Sequence, residues 1–172
     1  AGSVNRITGG DYGERCWSRD KWSEQVNNQL VDENFNPLIQ NINIEINSHF
    51  NNENRELNAS TIVHVLNDLQ GNYSLCLFVM EDGIISPQKD GDITVQDYRH
   101  DHIYRCAING TFGEPLNKSL TSGLELETPE KTIFLNTAHN SNWTTSWNNV
   151  SNCKIVAYVY NSDTGIIEQA AQ

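Results

Sequence analysis

From Leu38 onward the chain alternates apolar and polar residues with a period of two, the pattern of strands with one face covered and one wet. In INIEINSHF, Ile42, Ile44, Ile46 and Phe50 fall on one side and Asn43, Glu45, Asn47 and His49 on the other. NNEN at 51–54 supplies turn residues, and RELNASTIVHVLNDL alternates again through Leu57, Ala59, Thr61, Val63 and Val65. The pair reads as an antiparallel hairpin. YSLCLFVMEDGII (73–85) is apolar on both faces, which suits a strand inside a covered sheet. YRHDHIYRCAI (98–108) and KTIFLNTA (131–138) read as further strands, separated by polar loops at 86–97 and 109–130 that contain glycine or proline. CKIVAYVYNSDTGIIEQAA (153–171) gives two closing strands around a turn. About five to seven strands without intervening helices predict an all-β fold, an immunoglobulin-like antiparallel β-sandwich.

The first thirty-odd residues follow another rule. ITGGDYGERCWS is glycine-rich and irregular, and DKWSEQVNNQLVDE then places Trp22, Val26, Leu30 and Val31 at helical spacing with Asp20 as N-cap. One amphipathic helix over 20–33 cannot stabilise itself in water, so its stripe is expected to pack on something. Residues 34–37 read as a linker. The expected division is an N-terminal segment with a short helix at 1–36 and a sandwich at 37–172.

Composition changes this picture in one direction. The formal net charge is −11, from 11 Lys+Arg against 22 Asp+Glu. Such a surface repels phosphate backbones, and no Lys/Arg run offsets it, so nucleic acid is not an expected partner. No stretch approaches the about 18 apolar residues of a membrane-spanning helix. No signal-like hydrophobic region is present either, and the chain is expected to be a mature form or an excised fragment. Asparagine is abundant, and Asn58, Asn72, Asn109, Asn117, Asn142 and Asn149 each begin an Asn-x-Ser/Thr triplet. In an Asn-rich chain such triplets arise by composition alone, although they are also glycan acceptors on a secreted surface.

Candidate chemistry is sparse. Asp163-Thr164-Gly165 is the three-residue signature of aspartic proteases, which need two such loops so that two carboxylates share a proton. Only seven residues follow Gly165, too few to cover a substrate, and the turn reading is preferred. His100-x-His102 on a strand would point both imidazoles to one face, where a metal would need a third ligand from Glu81, Asp82 or His64. Structural histidines are the preferred reading. Asp82, Asp90, Asp92 and Asp97 crowd one acidic stretch without the regular spacing of a calcium loop, so a solvated loop is expected. Trp143 and Trp147 in NSNWTTSWNN are candidates for stacking on a sugar ring among amide donors. Cys16, Cys76, Cys106 and Cys153 form no C-x-x-C pair, which argues against a zinc ribbon or a thioredoxin-type centre, while their disulfide status stays open. G-x-S-x-G, H-E-x-x-H and the phosphate-binding glycine loops are all missing. No catalytic residue, metal or cofactor is therefore assigned.

Three segments in order carry a resemblance. GNYSLCLFVMEDGIISPQ (71–88), YRHDHIYRCAINGTFGE (98–114) and NCKIVAYVYNSDTGIIEQAA (152–171) are similar to the twenty-eight-kilodalton outer-membrane lipoprotein family of Bacteroidetes, the Porphyromonas type. The resemblance covers residues 37–172. It implies an outer-membrane or cell-surface protein, anchored through a lipid on sequence upstream of this chain, with an adhesin or receptor role and a protein or glycan ligand. Many members carry a thioredoxin-like domain upstream, and SVNR with the helix at 20–33 looks like that domain's last strand and helix. Two alternatives follow: an accessory domain of a periplasmic thioredoxin-like oxidoreductase, and a carbohydrate-binding module resting on Trp143 and Trp147.

Overall fold

The computed structural model describes residues 2–11, 13–116, 119–135 and 150–172. The expected all-β, immunoglobulin-like antiparallel sandwich with a short N-terminal helical segment is the fold observed. Strand β1 (Ile42–Asn51) pairs with β2 (Glu56–Val65) in unbroken register from Ile42↔Val65 to Asn51↔Glu56. Period-two alternation then dictates the faces. Ile42, Ile44, Leu57, Ala59, Val63 and Val65 are buried, whereas Asn43, Glu45, Asn47 and His49 are exposed. The one polar residue on the inner face of β2, Thr61, is fully buried and shares a hydrogen bond with the Thr128 hydroxyl at 3.0 Å, so its polarity is satisfied.

The second sheet is built around β3 (Tyr73–Glu81), flanked by β10 (Cys153–Asn161) on one side and β6 (Ile103–Ala107) on the other. Strand β11 (Ile167–Ala171) extends it beyond β10, and the two-residue β7 (Glu114–Pro115) pairs with the start of β3. The first sheet is completed by β8 (Glu125–Glu127) and β9 (Lys131–Phe134), both on β2. Leu75, Leu77, Val79, Ala157 and Val159 of the second sheet meet Ile42, Ile44, Val63 and Val65 of the first in one core. Each fully buried aliphatic side chain there contributes about 1.5–3 kcal/mol.

Opposite Val79 and Met80, β6 carries one residue too many: Val79 faces Cys106, Met80 faces Tyr104, and Arg105 bulges out of the ladder between them. A bulge of this kind re-aims a side chain. Here Arg105 is 4 % exposed and its Nε lies 2.9 Å from Oε2 of Glu81, which is fully buried. The contact has ion-pair distance without hydrogen-bond geometry, and among the described residues neither carboxylate oxygen of Glu81 has a hydrogen-bond donor. The sandwich thus encloses a charge pair at the edge of its core.

Four expectations are corrected. Loop 86–97 is instead a ribbon, β4 (Ile84–Asp90) paired with β5 (Ile93–His100), with Pro87 at its register shift. Nearly all its residues are exposed, so no buried face existed to impose alternation on the sequence. The helix over 20–33 shrinks to a 3₁₀ turn at Arg19–Lys21 and α1 (Trp22–Asn27). Asn27 and Asn28 favour turns over helix, and the chain doubles back to pair Val31 with Pro37. Asp20 sits inside the 3₁₀ turn, with Ser18 ahead of it at the cap position. Trp22 packs on Gly2 and donates from Nε1 to the Trp17 carbonyl at 3.2 Å, but Val26 and Leu30 stay largely exposed. Residues 4–6 form a bend and turn rather than a strand. Strand 131–138 begins as expected at β9, and its residues 136–138 lie outside the described ones.

Candidate functional site

Side chains on β3 and β10 alternate between the core and the opposite face of their sheet. Facing away from the core are Cys76, Phe78 and Met80 of β3 with Val156, Tyr158 and Tyr160 of β10, paired in register as Phe78↔Val156 and Cys76↔Tyr158. A sheet face turned from the core is ordinarily polar. This one is aromatic. The Phe78 ring centroid lies 5.8 Å from those of both Tyr104 and Tyr158, and Tyr158 lies 5.9 Å from Tyr160. Tyr104 is 49 % exposed at the β6 end of the row.

At the other end the N-terminal segment clips onto the sheet. The Arg6 guanidinium sits 5.2 Å from the Tyr158 ring centre and 5.5 Å from that of Tyr160, and donates to the Tyr158 hydroxyl at 3.0 Å. Arg15 donates to the carbonyls of Arg6 and Thr164, and the Ile167 amide donates to the Asn5 carbonyl. Burial pushes the Tyr158 phenol up to about 12, with the neighbouring Cys76 adding to it, so the hydroxyl stays neutral.

Beside Tyr160 the sheet edge opens into a groove of about 640 Å³, lined by Phe112, Tyr160, the hydroxyls of Ser74, Ser119 and Ser162, and Asn72, among others. Its outer wall is a built turn. The Asn109 side chain takes the place of a strand neighbour, accepting from the Leu77 amide at 2.8 Å and donating to the Leu75 carbonyl at 2.9 Å. Gly113 has φ +71° and lies so close to β3 that a Cβ would stand 2.2 Å from the Leu75 carbonyl oxygen. Between these anchors Phe112 is thrust outward, 81 % exposed, while its carbonyl accepts from the Tyr160 hydroxyl at 2.9 Å.

The far end of the groove is closed by the loop that carries Asp163-Thr164-Gly165, which is the turn between β10 and β11. Asp163 accepts from the Asn72 backbone amide at 3.1 Å and, through both oxygens, from its side-chain amide at 3.1 and 3.3 Å. These hydrogen bonds hold its carboxyl below the ordinary carboxylate range. With a folded pKa below the unfolded one, the clamp contributes fully above the ordinary value of 3.8 and is lost as pH falls through the lowered folded value. Protection of the Asn72 amide, measured against its intrinsic exchange rate at each pH, is therefore expected to hold at neutral pH and to fall only on strong acidification, and Asp163→Asn should abolish that pH step.

The other sequence candidates do not converge. His100 shares a hydrogen bond with the Ser86 carbonyl at 3.2 Å, and His102 adopts φ +58° in a turn, which takes the pair off one strand face. Glu81 points to Arg105, while His64 sits on the opposite sheet between Glu45 and Glu125. Asp82 is engaged by Lys154 at 2.8 Å and by the His102 amide, both of which lower its pKa. Asp90, Asp92 and Asp97 lie exposed along the β4–β5 ribbon. Among the described residues no group of three or more His, Cys, Asp or Glu is placed to hold a metal ion. Trp143 and Trp147 lie outside the described residues.

Burial raises the pKa of Cys76 and Cys106 and pushes Cys153 up to about 11, so these thiols are protonated at neutral pH. Any accessory role to a redox domain would operate without their thiolates. Of the glycosylation triplets, Asn72 and Asn109 have side-chain amides committed to Asp163 and Leu75.

The family model for outer membrane protein Omp28 matches residues 1–172. No curated protein and no solved structure matches the chain. No helix among the described residues is long and apolar enough to cross a membrane.

Proposed function

The chain belongs to the outer membrane protein Omp28 family, and from that premise we propose that it is a non-enzymatic recognition module of a lipid-anchored cell-surface protein, acting as an adhesin or receptor. The observation that supports this reading most is the aromatic row Tyr104–Phe78–Tyr158–Tyr160 on the sheet face turned away from the core. Contiguous aromatic surface on a sheet face that is only partly covered, with Tyr104 exposed at its end, favours an interaction site over an accident of composition. Aromatic rings fix much contact area at low entropy cost, which is why they dominate binding hot spots. The groove at Phe112 continues the same face, since Tyr160 belongs to both. On an outward-facing outer-membrane protein such a face would meet soluble ligands and neighbouring cells.

The test is binding by the purified chain to immobilised fibronectin, laminin and collagen and to an oligosaccharide array, beside an unrelated β-sandwich of similar acidity. Binding above that control to at least one class is the expected result. Signals equal to the control throughout would remove the adhesin or receptor role.

A further inference from the structure

We infer that the groove between Phe112 and Tyr160 is a binding site for a neutral saccharide, an assignment that rests on the recognition reading above and gives it a ligand class. The groove combines the two things a pyranose ring needs. Phe112 and Tyr160 supply aromatic surface for the C–H face of the ring, and the Ser119 hydroxyl, the mutually hydrogen-bonded Ser74–Ser162 hydroxyl pair and the side-chain oxygen of Asn72, whose amide nitrogen is held by Asp163, supply polar groups for its edge. Its volume of about 640 Å³ falls within the range of about 300–1,000 Å³ typical of ligand pockets.

Charge selects against the alternatives. Among the described residues that line it none is Lys, Arg, Asp or Glu, and the Asp163 carboxylate next to Ser162 has both oxygens engaged by Asn72. A charged ligand finds no counter-charge among those described lining residues, and the net charge of −11 repels polyanions such as sulfated glycans. The backbone that carries Phe112 is also held in place before any ligand arrives. Asn109 and Gly113 pin the turn to β3, and the Tyr160 hydroxyl fixes the Phe112 carbonyl. An aromatic 81 % exposed on an anchored backbone needs no rearrangement of the turn on binding.

The experiment is an NMR titration of the ¹⁵N-labelled chain with cellohexaose, maltohexaose, xylohexaose and chitohexaose, and separately with a heparin-derived octasaccharide. At least one neutral oligosaccharide is expected to shift the amides of Gly71, Gly113 and Ser162 in a saturable way. Phe112→Ala should weaken that binding about tenfold or more, while Phe112→Trp retains it. Because Phe112 is exposed, the alanine variant should keep the native spectrum elsewhere. No shifts at millimolar neutral sugar, shifts indifferent to Phe112→Ala, or preference for the heparin fragment would each overturn the assignment. If the chain binds matrix proteins but no sugar, the groove assignment falls and the recognition role stands; if it binds neither, both fall.

Discussion

Arg105→Leu is expected to destabilise the protein by about 3–5 kcal/mol, a large fraction of the stability of an ordinary domain. The cost comes from Glu81, fully buried and without a hydrogen-bond donor among the described residues, whose charge Arg105 balances from 2.9 Å. Removing the cation leaves the carboxylate either charged in the core or forced to take up a proton, and both are expensive. The double variant Arg105→Leu, Glu81→Leu should recover part of the loss, because a hydrophobic pair of similar volume avoids the desolvation of two ions. Urea midpoints of the three proteins check this. A double variant no more stable than the single one would place the cost in packing around Arg105 instead.

Gly113→Ala should cost at least about 2 kcal/mol and also spoil the groove. The added Cβ would stand 2.2 Å from the Leu75 carbonyl oxygen and 2.7 Å from its carbonyl carbon, atoms of the central strand that cannot swing aside. Residue 113 also holds φ +71°, where an L side chain is strained. The turn must lift off β3, taking with it the Asn109 bridge and the Tyr160–Phe112 hydrogen bond. Gly110→Ala isolates the conformational part: its φ is +94° but nothing lies within 4 Å of a Cβ there. Thermal melts should therefore rank Gly113→Ala well below Gly110→Ala, and equal losses would show that close packing on Leu75 is unimportant.

How far the fold was legible followed burial. The β1–β2 hairpin could be read residue by residue because one face is covered, so Ile42, Ile44, Val63 and Val65 had to alternate with polar neighbours. The β4–β5 ribbon hid because it has no covered face: Ile93 at 65 % and Ile85 at 56 % exposure carry no period, and Pro87 and Gly91 read as loop. Periodicity overstated the first helix because Trp22, Val26 and Leu30 share a stripe that finds no sheet to cover Val26 and Leu30. The bulge that turns Arg105 inward leaves no mark in a string of letters, and Glu81 was accordingly weighed as a metal ligand rather than as half of a buried pair.

The site was harder still. Apolar residues on both faces of 73–85 implied a covered sheet, whereas the far face is covered in part, by Arg6 and by its own rings. Phe112 lay in a segment read as loop. Its signal was the pair of glycines around it in NGTFG, an aromatic placed where the backbone can make a tight turn against another strand. Asp163 was rightly weighed as a turn residue, but its partner Asn72, 91 positions away, becomes visible only in three dimensions.

The most direct measurement of the recognition face compares native chain with the double variant Tyr104→Ala, Phe112→Ala on the matrix proteins and neutral oligosaccharides named above. Both side chains are exposed, at 49 % and 81 %, so the variant should melt like the native protein. A face that binds through these rings requires the variant to lose at least about tenfold in affinity with its stability unchanged. Undiminished binding by a variant shown to be folded would contradict it.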